Sequence, residues 1–549
     1  MTFPRTLLAV ALAALAAPAA AHAAAGDLDQ RVGTGGTLLV PVEGGDAAGS
    51  GVAVAPSGEL VVAGDVTAAE PDEPGARRLV LARFGPFGDP LSLFRFPPQD
   101  PPADTGAAAV SVGPAGQILA AGSWLVPTEG RAAGLVTRHA ADGELYPPFG
   151  GRGWATPGFD GGAAEDVAAL PDGGALVAGR RLEGNGSRGE LVRVGADGAA
   201  VAAEPTAEPG REERYEAVAA MPGGAAVVAG TADDAEGVPG FLVARFGADG
   251  RVAGVARTPF PQGAAVASDV VALADGSAIA VGSAAPGGDA EWALVRYGPD
   301  GTLDPAFGDG GRVVIAASAF EDRLLAAAPG PRDTIVAAGF VGTGEFGLRT
   351  MAVARFTADG RRDPSFGANG VVRIAAGEDE AVAAADVAVL PDGDVVTVGT
   401  GATRAGRLVV ALARLLGDGP APPLAVGGGG GPGEPPAVAG VPARARFAIR
   451  LVSRRVERHG TVRVRVRWPR GWRGAARIRI TRVRAPHILV ASQPIRGTGG
   501  RGRTFRVKLT RLGRDALLGV RRTRVRLALV PDAAALERRR TSVQTLADC

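Results

Sequence analysis

The chain has 549 residues, 46% of them apolar, with 84 Gly, 42 Pro and a formal net charge of +2. Its apolar residues fall in short runs without a sustained 3.6-residue period in the body, which excludes a helical bundle, and with 5% aromatics any core is built mainly from Val, Ala and Leu. The single Cys, Cys549, excludes an internal disulfide framework, leaving a free thiol or an intermolecular bridge, and four His leave little for a His-built metal site or a conventional catalytic triad.

From the N-terminus, Arg5, the apolar stretch Leu7 to Leu15 and the small-x-small sites Ala21-His22-Ala23 and Ala23-Ala24-Ala25 read as a secretory signal over 1–25. The stretch is too short and too Ala-rich to span a membrane, and no other segment is a candidate span. The expected location is extracellular, with association to the cell wall as its extension.

Residues 26–36 (GDLDQRVGTGG) and 37–42 (TLLVPV) read as a turn and outer strand whose preceding three strands are missing. A repeat of roughly 55 residues follows. Strand-like segments end at Gly64, Gly122, Gly179, Gly230, Gly282, Gly339 and Gly399, at intervals of 58, 57, 51, 52, 57 and 60. A second ladder keeps step: Arg83, Arg138, Arg193, Arg245, Arg296, Arg355 and Arg414, each closing an apolar run. Two registers agreeing on seven copies mark a tandem architecture.

Each copy offers four strands: a small-residue strand such as VAALPDG at 167–173, the Gly-ended strand, the Arg strand and a Gly-Gly-led strand such as GGRVVI at 310–315. The Asp-Gly and Gly-Gly pairs between the first two are hairpin-turn chemistry. Four antiparallel strands repeated seven times imply a seven-bladed β-propeller over 26–416. The last unit stops at LVVALARLL, 408–416, without an outer strand, so 37–42 is expected to complete it and close the ring.

The junctions DGTLDPAFGDGGRVV at 300–314, DGRRDPSFGANGVV at 359–372 and DGELYPPFGGRGW at 142–154, with the PDG-x-x-x-V-A-G hairpin and the A-R-F strand, resemble the delta-60 repeat family of bacterial β-propeller-like proteins. The resemblance covers about 26–416 and is degraded at 87–93 and 198–206. It implies the fold and export, and brings no shared catalytic residues.

The Arg ladder, with Asp304 and Asp363 at a fixed place in the following turn, reads as a repeated Arg–carboxylate staple. The candidate binding residues are Asp166, Asp269 and Asp386, each five residues before the matching Pro or Ala of the turn, and Asp322, offset by two. Placed just before an innermost strand, they are expected to ring one mouth of the central channel, where they could bind a cation or a sugar hydroxyl; the alternative is that each accepts hydrogen bonds from a neighbouring blade's backbone. Variable, acidic loops at 66–77, 99–106, 157–165, 203–216, 231–239 and 284–291 fall on the opposite side from the hairpin turns, where binding usually resides. No dedicated metal site and no cofactor is expected.

After 416 the composition changes. Residues 417–442 are a Gly/Pro-rich linker. Segments such as TVRVRVRW and ARIRITRVR then alternate apolar residues with Arg, and about six strands in 443–549, with a helical turn near 511–518, suggest a small Ig-like β-sandwich. It resembles the Arg-rich sandwich modules appended to secreted actinobacterial proteins. This region holds 29 Lys+Arg against 5 Asp+Glu, net +24, and the rest of the chain holds 30 against 52, net −22.

Such a split implies a charged partner: a cell-wall polyanion or glycan, or docking of the basic domain on the acidic propeller. Nucleic acid is disfavoured, because no aromatic-rich basic groove is apparent. The expectation is a monomeric, secreted or cell-surface binding or scaffold protein, with catalysis left open. The alternative is a propeller enzyme acting on polysaccharide through paired carboxylates.

Overall fold

The computed structural model describes residues 24–418, apart from 68–75, 97–103, 127–129, 185, 207–211, 261–262, 286–288, 344–348, 376–382 and 404–406; beyond 418 it describes strands only. The signal segment through residue 23, the linker beyond 418, the helical turn near 511–518, Cys549 and the central parts of most variable loops lie outside the described residues.

Seven four-stranded antiparallel sheets form a seven-bladed β-propeller. Blade 3 illustrates the order from axis to rim: Ala163–Ala169, Ala175–Glu183, Gly186–Val194 and Ala200–Ala202. The innermost strands of the other blades are Ala47–Val54 (blade 1), Asp104–Val112 (2), Glu213–Ala220 (4), Ala265–Ala272 (5), Asp322–Pro329 (6) and Ala383–Val389 (7). Blade 7 takes its outer strand from the N-terminus: Thr37–Val40 pairs with Leu408–Leu415, Leu38 opposite Leu412. The turn before it is held as well, with Gly26 N–H donating to Leu416 O, Leu416 N–H to Asp27 O and Asp29 N–H to Arg414 O. Helical structure among the described residues is limited to three-residue 3-10 turns, as at Pro222–Gly224.

The core lies between blades rather than at the axis. Each seam holds its own buried cluster: Ile279, Trp292, Leu324, Ile335 and Phe356 fill the seam between blades 5 and 6, and Val52, Val62, Val396 and Leu412 that between 7 and 1.

The Gly ladder has a steric cause. In every blade the innermost strand carries a bulge opposite the ladder glycine, as between Ala164 and Asp166 opposite Gly179 and between Ala267 and Asp269 opposite Gly282. A Cβ on Gly64, Gly122, Gly179, Gly230, Gly282, Gly339 or Gly399 would sit 1.9–2.2 Å from an inner-strand carbonyl oxygen. Only glycine allows the backbones to approach this closely.

The inner strands therefore begin about four residues earlier than the alternation suggests, because the bulge interrupts the two-residue period. The degraded junctions still pair: Pro90–Arg95 completes blade 1, and Ala200–Ala202 forms a three-residue outer strand in blade 3. Beyond 418, strands form one sheet of order Ala448–Leu451, Thr461–Arg467, Gly502–Lys508 and another of order Leu489–Thr498, Arg473–Arg482, Arg522–Pro531, Thr541–Ala547.

Candidate functional site: the carboxylates of the central ring

Three of the four candidate aspartates are brought together around the axis. Asp166, Asp269 and Asp386 occupy the same register position, immediately after the bulge, in blades 3, 5 and 7. They lie midway along the innermost strands, so the expected ring at the channel mouth is corrected to one at half depth. The equivalent positions elsewhere are Gly51, Ala109, Ala217 and Ala326.

Each carboxylate bridges two blades by the same pair of bonds. One oxygen accepts the next residue's N–H: Val167 to Asp166 (2.7 Å), Val270 to Asp269 (2.6 Å), Val387 to Asp386 (2.7 Å). The other accepts an N–H from the following blade: Val218 to Asp166 (2.8 Å), Ala327 to Asp269 (2.6 Å), Val52 to Asp386 (2.7 Å). The geometry is that of an inter-blade staple at the seams 3–4, 5–6 and 7–1.

The side chains are enclosed by the blades and only partly open to the channel. Burial pushes Asp166 up to about 6 against the N–H bonds from Val218 and Val167, and Asp386 up to about 7. Asp269 is raised well above the usual carboxylate range by burial and then by repulsion from Asp166. The three therefore form one electrostatically coupled set.

Asp322 is elsewhere. It is the first residue of its inner strand, opposite Val341, and the position equivalent to Asp166 in that blade is Ala326. Fully buried, it accepts N–H bonds from Ala317, Ser318 and Gly342 and the Ser318 hydroxyl. Two inserted residues do not restore the register, because Asp322 leads its strand and its carboxylate holds the turn that enters the blade.

Two further seam residues carry no acidic signature in the sequence. Ser50 Oγ in blade 1 donates to Ala107 O of blade 2 (2.6 Å), and Ser111 Oγ in blade 2 accepts Ala169 N–H of blade 3 (3.1 Å).

Nearer the rim, on the hairpin-turn side, the Arg ladder staples the same blades. Arg296 pairs with Asp275 and Asp304 of its own blade (both 3.1 Å) and donates to Ala358 O of the next. Arg355 pairs with Asp363 (2.7 Å) and, through both terminal nitrogens, with Asp418. Arg414 meets Asp394 (2.7 Å), Asp29 (3.3 Å) from the closing segment and Pro86 O of blade 1. Arg245 instead donates to Gly276 O and Gly298 O of the next blade and to Met221 Sδ of its own. The Arg–carboxylate contact expected from the spacing is present at Arg296–Asp304 and Arg355–Asp363, within one blade, and the ladder crosses the seams mainly through carbonyls such as Ala358 O and Gly298 O.

Other chemistry-bearing groups are already engaged. His139 is buried between Thr137 Oγ1 (3.0 Å) and Gly143 O (3.1 Å), and burial lowers it to about 4, so it is neutral at physiological pH. A notch of about 180 Å³ beside the short outer strand of blade 3 is lined by Arg181, Arg188, Glu190 and Tyr215 among others. Its Glu190 accepts Phe159 N–H, and its Tyr215 hydroxyl meets Thr206. Among the described residues no group of three or more His, Cys, Asp or Glu is placed to hold a metal ion, and no helix is long and apolar enough to cross a membrane.

Fold and site together define a seven-bladed propeller whose repeated geometry holds the blades together. Two segments, 273–307 and 333–366, match the family described as Domain of unknown function (DUF5122) beta-propeller; they run through blades 5 and 6. No curated protein matches the chain. Similar solved structures include a protein of unknown function from Dyadobacter fermentans (14% identity, 70% of this chain and 98% of that one, TM-score 0.39) and the polysaccharide lyase Uly1 (11%, 68% and 90%, 0.39). Another is Sqt1 of Chaetomium thermophilum (12%, 67% and 96%, 0.32).

Proposed function

We propose that the chain is an exported binding or scaffold protein, its propeller of the delta-60 repeat type. In this reading the variable-loop face contacts a ligand, and the basic C-terminal region, expected to be Ig-like, tethers the protein to an anionic surface. The observation that carries the proposal is the charge split, net +24 in 443–549 against net −22 in the rest. The ring supports it: blades stapled at the axis by Asp166, Asp269 and Asp386 and near the rim by the Arg ladder make a rigid platform for loops. Ligand binding by those three aspartates stays within the proposal, and a cation or sugar hydroxyl would have to compete with backbone N–H groups already in place. Asp322 would have to release its turn.

The test is retention of the full chain on immobilised anionic polysaccharides and neutral glycans, with salt elution and a reducing-end assay on the same samples. Salt-released retention without new reducing ends supports the proposal. New reducing ends would replace it with polysaccharide cleavage.

A further inference from the structure

The third strand of each blade presents its outer edge to a fourth. On that strand, one position precedes the residue opposite the ladder glycine. In six blades its backbone is partnered from outside. Phe241 pairs with Thr258, Trp292 with Ile315, Met351 with Ile374 and Val410 with Val40. Gly134 N–H donates to Gly158 O, and Leu79 O accepts Phe96 N–H. In blade 3 the position is Gly189, and nothing among the described residues partners its outward groups.

The edge is open because the chain turns away. Ala200–Ala202 pairs with 192–194, and Ala203 N–H still donates to Leu191 O. Glu204 then joins blade 4, its N–H donating to Gly250 O and its carboxylate accepting Val252 N–H. Pro205 has no N–H to continue a ladder. Outward-pointing backbone groups recur at every second residue of an antiparallel strand, so the bond at Leu191 fixes those of Gly189 and Ser187 as outward too. Ser187 N–H is taken by Glu212 (3.0 Å). The notch of about 180 Å³ occupies the vacated place, lined by Gly189, Leu191, Ala203, Glu204 and Pro205 among others.

The notch favours negative charge. Arg181 lies directly opposite Arg188, a like-charge pair that an anion beside it would relieve. Arg188 reaches the exposed Glu183 at 3.4 Å, and Arg181 has no ion pair among the described residues. The two carboxylates of the notch are engaged, Glu190 with Phe159 N–H and Glu204 with Val252 N–H. Glu204 and Pro205 bound the open edge at one end and Glu212 at the other, so the gap admits a single extended strand and not the sheet of a second copy.

We infer that the 187–191 edge of blade 3 is the docking site for an extended acidic peptide, added antiparallel as the missing part of the outer strand. One peptide residue exchanges both backbone bonds with Gly189. It shares the face on which the Tyr215 ring covers Gly189, 2.6 Å from where a Cβ would stand, which selects a small side chain. The next residue lies opposite Arg188 and is the acidic one.

The experiment uses the full chain and three labelled peptides: acetyl-Ala-Asp-Val-Thr-Val-amide, its analogue with Lys for Asp, and the Asp peptide methylated on the alanine nitrogen. Binding is read by fluorescence anisotropy and by hydrogen exchange at the Gly189 amide, which separates docking here from attraction to the basic C-terminal region. Exchange at Gly189 is expected to be fast in the free chain and to slow about tenfold or more with the Asp peptide. The Lys and methylated peptides should protect Gly189 about tenfold less, because methylation removes the N–H that Gly189 O accepts and leaves the charge in place. The variant R181E/R188E should invert the preference between the Asp and Lys peptides with melting unchanged. R251E/R361E, an equal charge change at exposed turns, should alter Gly189 protection less than threefold. Failure of the Asp peptide to protect Gly189, equal protection by the methylated peptide, or equal effects of the two variants overturns the assignment. Exchange already slow in the free chain would show the edge to be covered by the chain itself, and slowing that grows with protein concentration would make the occupant a second copy; either also overturns it.

Discussion

Deleting 26–42 should open the propeller at blade 7. The segment supplies the outer strand Thr37–Val40 and buries Val32 and Val42, at 0% and 3% exposure, in the seam between blades 7 and 1. Leu28 and Leu39 pack in the seam on the other side of blade 7. Removing a buried valine costs about 1.5–3 kcal/mol, so the pair accounts for about 3–6 kcal/mol before any backbone bond is counted. Total stability is typically only about 5–15 kcal/mol. Arg414, 2% exposed, also loses Asp29 while keeping Asp394. The sharpest assay is amide hydrogen exchange at Arg414 and Leu416, whose N–H groups donate to Gly36 O and Asp27 O. At about 1.4 kcal/mol per decade, a loss of 3 kcal/mol or more accelerates their exchange at least about 100-fold. Melting should fall in parallel, and adding the peptide 26–42 back should restore part of both. Unchanged protection at Arg414 and Leu416 with unchanged melting would refute the closure argument.

Three other perturbations separate the forces at work. Gly282→Ala places a Cβ 2.0 Å from Val266 O and should cost about 3 kcal/mol or more by thermal melting, whereas Gly254→Ala, with nothing within 4 Å, should be close to neutral. Arg355→Ala leaves Asp363 and Asp418 without their common cation and should cost about 3–5 kcal/mol; Arg245→Ala, which frees two carbonyls and the Met221 thioether but no carboxylate partner, should cost about 1–2, and equal losses would contradict the pairing. The coupled aspartates set a pH dependence. Because Asp166 titrates at about 6, Asp386 at about 7 and Asp269 well above 3.8, these three carboxylates bind more protons in the folded chain than in the unfolded one across roughly pH 4–7, opposite in sign to buried His139. Their contribution to stability therefore grows as pH falls through that window and is lost as pH rises through the folded values. Melting between pH 5 and 8 should show this trend, and Asp269→Asn should flatten it; a slope unchanged by Asp269→Asn would dismiss these carboxylates as its source.

The blade count, the closing strand and the Arg staples were legible because each is written in the repeat: Gly at 64 to 399, Arg at 83 to 414, and an outer-strand segment at 37–42 ahead of the first full copy. The depth of the aspartate ring was not. A bulge adds one residue and reverses the alternation, so Ala163–Glu165 does not read as the same strand as Val167–Ala169, and Asp166 looks like a strand's leading residue when it sits in its middle. The ladder glycine opposite was the signal of that bulge, since a Gly recurring inside an apolar strand marks a close backbone approach. Asp322 was misplaced for a related reason: spacing alone cannot tell the first residue of a strand from one just past its bulge. Ser50 and Ser111 bridge seams through single bonds, and one hydroxyl among many in a turn-rich chain leaves no periodic trace.

The staple's own geometry explains why only three blades carry the aspartate. Asp166 uses two N–H groups, that of Val167 in its own blade and that of Val218 in the next. Val218 follows Ala217, the position equivalent to Asp166 in blade 4. An aspartate at 217 would need that same Val218 N–H for its own first bond, so two consecutive blades compete for one donor. The repulsion already felt by Asp269 from Asp166 would add to the conflict. Aspartate is therefore compatible with at most every second blade, and around a closed ring of seven that limit is three, the number present at blades 3, 5 and 7. Blades 1 and 2 are the two consecutive blades left over, and their seams use Ser50 and Ser111, which each make one bond across the seam and no claim on the shared donor. Ala326→Asp tests the rule, because Ala327 N–H already serves Asp269. Although it copies a residue the repeat itself uses, it should destabilise the ring at pH 8, by about 1–3 kcal/mol for a buried carboxylate short of a donor, and less at pH 5, where the added group is neutral. An equally stable variant at pH 8 would show that the alternation of Asp and Ala has another cause.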